Sequence, residues 1–229
     1  MSSNHPWITS RGMRWVFWSL VFLLLLTIGL CIAFYPEPYQ FFKQTISSLG
    51  EITSWPSGLP NPISQWIFTI GFSLLGIGTL FMMIGYINVK GFYCPSLKVL
   101  FLFVFFFGTV GTAFPSDHPN PTFRMYHFIG AALFVTGFGL FNFIAQLLRF
   151  IRKHVPKPAD KKLKIDYYID LIFVILVFVA IVWYLLSGLF EMLGIITPWV
   201  VLIFNLYVSQ KILLIVGCIA AFLLDLDDM

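Results

Sequence analysis

The sequence predicts an all-α membrane protein with six transmembrane helices, and three observations support this fold class. Hydrophobic residues make up 59% of the 229 residues and charged residues only 10%, whereas a soluble domain carries roughly 25% charged residues. A mean hydropathy of +0.90 is too high for a chain whose surface is covered by water. The apolar runs are continuous and about 20 residues long, which favours helices over a β-barrel with alternating residues.

The apolar runs predict six spans within one transmembrane domain that covers residues 1–229. The first run is too long for the core of a signal peptide, and no small-residue cleavage site follows it. We therefore expect it to remain as an uncleaved span. In order, the predicted spans cover about 15–35, 63–87, 99–114, 122–148, 167–188 and 199–224.

Residues 36–62 form the longest predicted outer loop. Its prolines prevent a continuous helix, but Tyr39 to Leu49 mixes aromatic and polar residues. This composition is typical of a short helix that lies in the membrane interface. On the other side of the membrane, the segment at 149–166 is rich in Lys and Arg and is predicted to be a basic cytoplasmic loop.

The distribution of Lys and Arg predicts the orientation. Most of these 14 side chains lie before the first span, at 88–98 or at 149–166, whereas the predicted outer loops hold only Lys43 and Arg124. Because cytoplasmic loops carry the excess of positive charge, we expect both termini in the cytoplasm. The expected location is the plasma membrane of a prokaryotic cell, and no nucleic-acid partner is expected.

The tripeptide Pro-Asn-Pro occurs at 60–62 and again at 119–121, at the start of the second and fourth spans. This recurrence predicts a tandem repeat of two helical hairpins, spans 1–2 and spans 3–4. The alternative is that Asn as N-cap followed by Pro is a common helix start. In both cases two helix N-termini face outward, where their unpaired N–H groups favour an anion.

The stretch from Phe114 to His127 gathers an acid, two histidines and an arginine between two apolar spans. Arg124 and His127 are three residues apart and share one helix face. Ionisable side chains within a membrane usually face protein and have a function, so Asp117 and His127 are predicted to line an outward-facing polar pocket. The alternative is an interfacial cluster in which Asp117 pairs with Arg124.

Lys211 lies well inside the sixth predicted span. An unpaired charge there costs several kcal/mol, so we expect Lys211 to pair with an acid, the candidates being Asp117, Glu51 and Glu191. The alternative is that the span begins near Lys211, which would leave it short for a crossing.

Two serines in the first outer loop, Ser47 and Ser48, are candidate nucleophiles. A serine needs a base within hydrogen-bond reach, and His127 supplies one only if the first loop folds over the fourth span. The alternative is a plain Ser/Gly turn. A metal site needs three or four ligands, and the candidates on the outer side are His118, His127, Asp117 and either Glu51 or Glu191. This set supports zinc only weakly, so no metal and no cofactor is predicted.

Several of these residues resemble a known pattern: Thr45 to Gly50 (Thr-Ile-Ser-Ser-Leu-Gly), Asn61-Pro62, Gly111 to Asp117 (Gly-Thr-Ala-Phe-Pro-Ser-Asp) and His127. The pattern is similar to that of prokaryotic six-span membrane proteins grouped as domain of unknown function 998, and in outline to eukaryotic DRAM/Sfk-type proteins. The resemblance covers roughly residues 15–225. In that family an acid stands where this chain has Ser48, so the resemblance does not carry a catalytic or ion-binding role over to the first loop. It implies the six-span architecture and singles out Asp117 and His127, without a substrate.

Three functions remain open at this point. The favoured one is binding of an anionic lipid head group or similar amphiphile, for lipid organisation, transport or sensing, through Arg124, Lys211, Asn61, Asn120, Glu51 and Glu191. The second is a membrane-embedded lipid hydrolase or transferase whose catalytic candidates are His127, Asp117, His118 and Ser48. The third is a structural or assembly subunit of a membrane complex or homo-oligomer.

Overall fold

The computed structural model describes residues 10–88, 94–154, 163–195 and 197–222. Within these residues it contains seven α-helices and one short 3-10 helix at Ile46–Gly50. The α-helices are α1 (Ser10–Phe34), α2 (Pro62–Asn88), α3 (Pro95–Thr112), α4 (Pro121–His154), α5 (Leu163–Met192), α6 (Pro198–Ile203) and α7 (Leu206–Phe222). Residues 1–9 and 223–229 of the predicted cytoplasmic termini, and the middle of the basic loop at 155–162, lie outside the described residues.

Six stretches of the described residues are long and apolar enough to cross a membrane, five of them within α1 to α5 and the sixth formed by α6 and α7 together. The described residues contain no strand, only an isolated bridge between Thr53 and Pro60. The prediction of an all-α protein with six spans is therefore confirmed. The orientation of the termini and the tandem repeat stay predictions.

Proline begins four of these helices: α2, α3, α4 and α6. The first turn of a helix leaves its N–H groups without intrahelical partners, so a residue without an N–H is tolerated there. The Pro-Asn-Pro tripeptides thus mark the starts of α2 and α4, as the sequence predicts.

Helices α3 and α4 pack closely at the end where the candidate site lies. A Cβ atom placed on Gly111 would lie 2.6 Å from the Cα of Gly130, and one on Gly130 would lie 2.4 Å from the Cα of Gly111. Small residues of this kind allow backbones of transmembrane helices to approach each other. The approach brings the turn after α3, which carries Asp117, next to His127 in α4.

The first outer loop differs from its prediction. Instead of a helix in the membrane interface, it forms the 3-10 helix at Ile46–Gly50, whose five residues are all buried and contact α1 and α2. Leu49 is completely enclosed, which is the environment that its apolar side chain favours. The loop therefore folds inward over the helices and forms part of the wall of the site.

The sixth span is interrupted, whereas the sequence predicts one helix over 199–224. Helix α6 ends at Ile203 and α7 begins at Leu206. The side chain of Asn205 accepts a hydrogen bond from the N–H of Val208 at 3.1 Å, which is the usual role of an N-cap residue. The cap stabilises a new helix start and explains the break.

Helix α4 extends beyond its predicted end at 148, so the basic loop begins later than the predicted 149. Arg149, Lys153 and His154 lie in the last turns of α4 and all contact Asp170 of α5. The distances to its carboxylate are 3.3 Å from Arg149 Nη2, 3.1 Å from Lys153 Nζ and 2.8 Å from His154 Nε2. These side chains connect the two helices at the predicted cytoplasmic end.

Candidate functional site: an outer pocket

A cavity of about 420 Å³ lies at the end of the molecule predicted to face outward. We call it the outer pocket. Its walls come from the first outer loop, the turn between α3 and α4, and the helices α4, α5 and α7. The ionisable side chains that line it are Glu51, Asp117, His127, Tyr184, Glu191 and Tyr207.

Asp117 fastens the turn after α3 to the first outer loop. Its carboxylate accepts hydrogen bonds from the N–H of Ile52 at 2.8 Å and from the N–H and hydroxyl of Thr53, both at 2.9 Å. Among the described residues it forms no ion pair with Arg124, so the predicted alternative of an Asp117–Arg124 pair is wrong. The two backbone donors neutralise part of the charge of Asp117 and fix its position at the pocket wall.

His127 lines the outer pocket and is 1% exposed. Its Nδ1 contacts the backbone carbonyl oxygen of Phe114. Because a carbonyl oxygen only accepts hydrogen bonds, Nδ1 must carry the proton, and in the neutral ring Nε2 is then an acceptor. Within the described part of the chain, Nε2 is buried and has no hydrogen-bond partner.

Glu51 is a partly buried acid beside Asp117. Burial raises the pKa of Glu51 from 4.5 to about 6, the hydrogen bond from Ser116 opposes this shift, and the nearby charge of Asp117 adds to it. The Ser116 hydroxyl donates to Glu51 Oε1 at 2.6 Å. Glu51 therefore changes its charge close to neutral pH, while still forming part of the pocket wall.

The charge of the outer pocket differs from the prediction. Three acids line it, namely Glu51, Asp117 and Glu191, and no lysine or arginine of the described residues does so. Arg124 and His118 lie outside its wall, as do the first turns of α2 and α4. The predicted use of these cations and helix N-termini to bind an anion in this cavity is therefore not supported by the geometry.

Lys211 does not pair with an acid of the described residues, and the prediction that it pairs with Asp117, Glu51 or Glu191 is wrong. Its ammonium group donates to the carbonyl oxygens of Phe41, Gln44 and Tyr207, and it lies 5.4 Å from the ring centroid of Tyr39 and 4.7 Å from that of Phe41. Carbonyl dipoles and aromatic faces together stabilise a buried cation. Lys211 thereby attaches the first outer loop to α7 and does not line the outer pocket.

The two asparagines predicted to cap helices behave differently. The side chain of Asn120 accepts from the N–H of Thr122 at 2.9 Å and thus caps α4. The amide of Asn61 instead donates to the carbonyl oxygens of Leu49 at 3.2 Å and Glu51 at 2.9 Å. Asn61 therefore supports the buried 3-10 helix and does not cap α2 with its side chain.

Of the two candidate serines, Ser47 lines the outer pocket and Ser48 does not. The Ser48 hydroxyl donates a hydrogen bond to the carbonyl oxygen of Thr45 at 2.8 Å. The hydroxyls of Ser47 and Thr45 are hydrogen-bonded to each other at 2.9 Å. Neither hydroxyl is bonded to His127. The described residues also contain no group of three or more His, Cys, Asp and Glu side chains suited to a metal ion.

Ser116, Tyr184 and Tyr207 line the outer pocket but were not predicted from the sequence. Ser116 precedes Asp117 directly, so its position beside a candidate acid was a usable signal. Tyr184 and Tyr207 lie within long apolar runs, where no local pattern separates a pocket-lining tyrosine from one that faces lipid. Only the packing of α5 and α7 brings these two rings to the pocket.

Comparison with known proteins gives a family and nothing more specific. A family model described as "Protein of unknown function (DUF998)" matches residues 19–206. No curated protein and no solved structure matches the chain. Because the matched segment covers most of the sequence and contains all the ionisable residues of the outer pocket except Tyr207, the chain belongs to this family of membrane proteins of unknown function, DUF998.

Proposed function

We propose that this protein binds the head group of a membrane amphiphile in the outer pocket. The observation that carries the proposal is the buried Nε2 atom of His127, which has no partner among the described residues and belongs to a side chain that lines the cavity. A buried polar atom without a partner costs about 1–3 kcal/mol. A ligand that donates a hydrogen bond to Nε2 would recover this free energy.

The shape of the outer pocket favours a ligand that enters from the membrane. Phe128 and Ala132 of α4 form one wall, and Phe128 is 62% exposed. About two turns further along, Gly139 of α4 packs against Ile181 of α5 and Leu213 of α7. An exposed apolar side chain at the cavity wall fits a ligand that reaches the cavity sideways from the membrane.

A neighbouring cavity of about 210 Å³ gives room for an apolar portion of the same ligand. It shares three wall residues with the outer pocket, namely Glu191, Leu206 and Tyr207, and its remaining wall is mainly apolar and comes from the end of α5, from α6 and from the break before α7. Polar contacts in one cavity and apolar walls in the next match the two parts of an amphiphile.

The test measures how much added lipid stays bound to the purified protein. Phosphatidylethanolamine, phosphatidylcholine and phosphatidylglycerol are added in detergent and retained lipid is measured by native mass spectrometry. We expect wild type to retain one lipid and His127→Ala to retain at least roughly tenfold less. The matched control His118→Ala, which changes a histidine outside the cavity wall, should retain as much as wild type.

The proposal fails if folded wild-type protein retains none of the three lipids, or if His127→Ala retains as much as wild type. Thermal melting of each variant in the same detergent shows whether it is folded. Equal retention, equal melting and an unchanged lipid composition of the membrane would instead favour a structural or assembly subunit.

A lipid hydrolase or transferase is the second candidate, because His127 lines the same cavity as Ser47 and Ser116. A general base must reach the proton that it removes, and here both hydroxyls are bonded to other residues, Thr45 and Glu51. Binding alone is therefore better supported. Release of a fatty acid or head group by wild type, lost in His127→Ala while lipid is still retained, would establish the enzyme.

A further inference from the structure

The charged side chains that line the outer pocket, among the described residues, are all carboxylates, which accept hydrogen bonds when ionised. We infer that the head group bound there carries a primary ammonium group, R–NH₃⁺, rather than the net negative charge expected from the sequence. This inference rests on the proposed function, because it specifies the head group for the same cavity. It follows from the protonation of His127, from the charges around it and from the aromatic rings in the wall.

The tautomer of His127 favours a ligand that donates a hydrogen bond to Nε2. The Phe114 carbonyl oxygen fixes the proton on Nδ1, so in the neutral ring Nε2 is a buried acceptor of a cavity-wall residue, with no partner among the described residues. Phosphate, sulfate and carboxylate groups that are ionised have no proton to donate. An ammonium group has three N–H donors, one of which can meet Nε2.

The charges of the cavity wall favour a cation. Glu51, Asp117 and Glu191 contribute carboxylates, and no cationic side chain among the described residues lines the cavity. The buried ammonium group of Lys211 is already held by the carbonyl oxygens of Phe41, Gln44 and Tyr207. An anionic head group would add negative charge without compensation, whereas an ammonium group reduces the repulsion between the acids.

The aromatic residues of the wall add a second preference for a cation. Tyr184 and Tyr207 line the outer pocket together with Phe128, and aromatic faces attract ammonium groups. Such faces also accept a quaternary ammonium group, which has no N–H. The aromatic contribution is therefore common to all ammonium head groups, and His127 provides the contact that requires an N–H donor.

A methylation series separates these contributions. The probes are phosphatidylethanolamine, its N-methyl and N,N-dimethyl derivatives, and phosphatidylcholine, each with the same acyl chains in detergent. The charge of the nitrogen stays positive along the series while the N–H donors fall from three to none. We expect retention to decrease with methylation, with phosphatidylethanolamine bound at least roughly tenfold more tightly than phosphatidylcholine.

Variants of the pocket identify the residue that accepts a hydrogen bond from the ammonium N–H of the head group. His127→Leu should bind phosphatidylethanolamine and phosphatidylcholine equally, because the acceptor is gone, whereas His127→Gln keeps an acceptor oxygen and should restore part of the preference. Glu51→Gln should weaken both lipids by a similar factor, since it removes charge and leaves Nε2 in place. Asp166→Asn removes an acid at the opposite end of the molecule and serves as the charge control.

The outcomes distinguish this inference from the proposed function. Equal binding of the four lipids by wild type, or tighter binding of phosphatidylglycerol that still depends on His127, would overturn the ammonium inference and leave amphiphile binding intact. Retention of no lipid by folded wild type would overturn both. A preference for phosphatidylethanolamine that persists unchanged in His127→Leu would also contradict the inference, because another residue would then accept the hydrogen bond from the ammonium group.

Discussion

The carboxylate of Asp117 lies 2.8 Å from the backbone nitrogen of Ile52, although the two residues are far apart in the sequence. The same carboxylate accepts two further hydrogen bonds from Thr53. Asp117 therefore joins the turn after α3 to the first outer loop, and it builds the wall of the outer pocket as well as contributing charge to it.

Replacing Asp117 tests this connection. In Asp117→Asn the side-chain NH₂ group cannot accept from a backbone N–H, so at least one donor of the first outer loop loses its partner. We expect a loss of about 1–3 kcal/mol in the free energy of unfolding, and faster amide exchange at residues 51–54. Hydrogen–deuterium exchange with mass spectrometry measures the second effect, and His118→Ala should leave both quantities unchanged.

Lys211→Met removes the ammonium group that attaches the first outer loop to α7. The carbonyl oxygens of Phe41 and Gln44 would then be left without this donor, so we expect a loss of about 3 kcal/mol in the free energy of unfolding. Exchange should increase in residues 39–46. Lys43→Met is the matched control, because Lys43 is an exposed lysine of the same loop. An equal effect of both substitutions would contradict the role given to Lys211.

The sequence predicted the spans well because their signal is local. Continuous apolar runs of this length indicate transmembrane helices whatever surrounds them, and a histidine in such a run indicates a protein-facing position. Asp117 and His127 accordingly lie in the wall of one cavity. Their proximity also depends on Gly111 and Gly130, whose close contact between α3 and α4 cannot be read from either helix alone.

The contacts of Lys211 could not be predicted in the same way. Two of its three carbonyl partners, those of Phe41 and Gln44, are far from it in the chain. The scarcity of charge in a membrane suggests an acid as the partner of a buried lysine, but three backbone carbonyls satisfy the ammonium group equally well. Because Lys211 does not line the cavity, the carboxylates of Glu51, Asp117 and Glu191 face no lysine or arginine there among the described residues. The expected preference for anions therefore does not follow from the structure.

Binding of an ammonium lipid should depend on pH through Glu51. The pKa of Glu51 is raised to about 6 by burial, so its carboxylate becomes protonated as the pH falls through 6 and attracts a cation less. We expect affinity for phosphatidylethanolamine to decrease between pH 7 and pH 5, and this decrease should be much smaller in Glu51→Gln. Titration of lipid retention at each pH measures the effect.

The stability of the ligand-free protein should change in the opposite direction. Because the pKa of Glu51 is higher in the folded protein than the ordinary value of 4.5, the folded state binds the proton more tightly than the unfolded state does. The contribution of Glu51 to stability is therefore complete below pH 4.5 and is lost as the pH rises through about 6. A difference in melting temperature between wild type and Glu51→Gln that does not vary over this range would contradict the assigned environment of Glu51.

Asp170 should be the acid whose loss destabilises the predicted cytoplasmic end most. It is 4% exposed and contacts Arg149, Lys153 and His154. Removing the acid from a buried ion pair leaves its partners without compensation and costs about 3–5 kcal/mol, so Asp170→Asn should lower the melting temperature markedly. Asp166→Asn is the matched control: Asp166 lies one turn away, 4.0 Å from Lys153, with 58% of its side chain exposed, and exposed pairs contribute about 0–1 kcal/mol. Similar melting temperatures for the two variants would show that Asp170 does not hold α4 and α5 together.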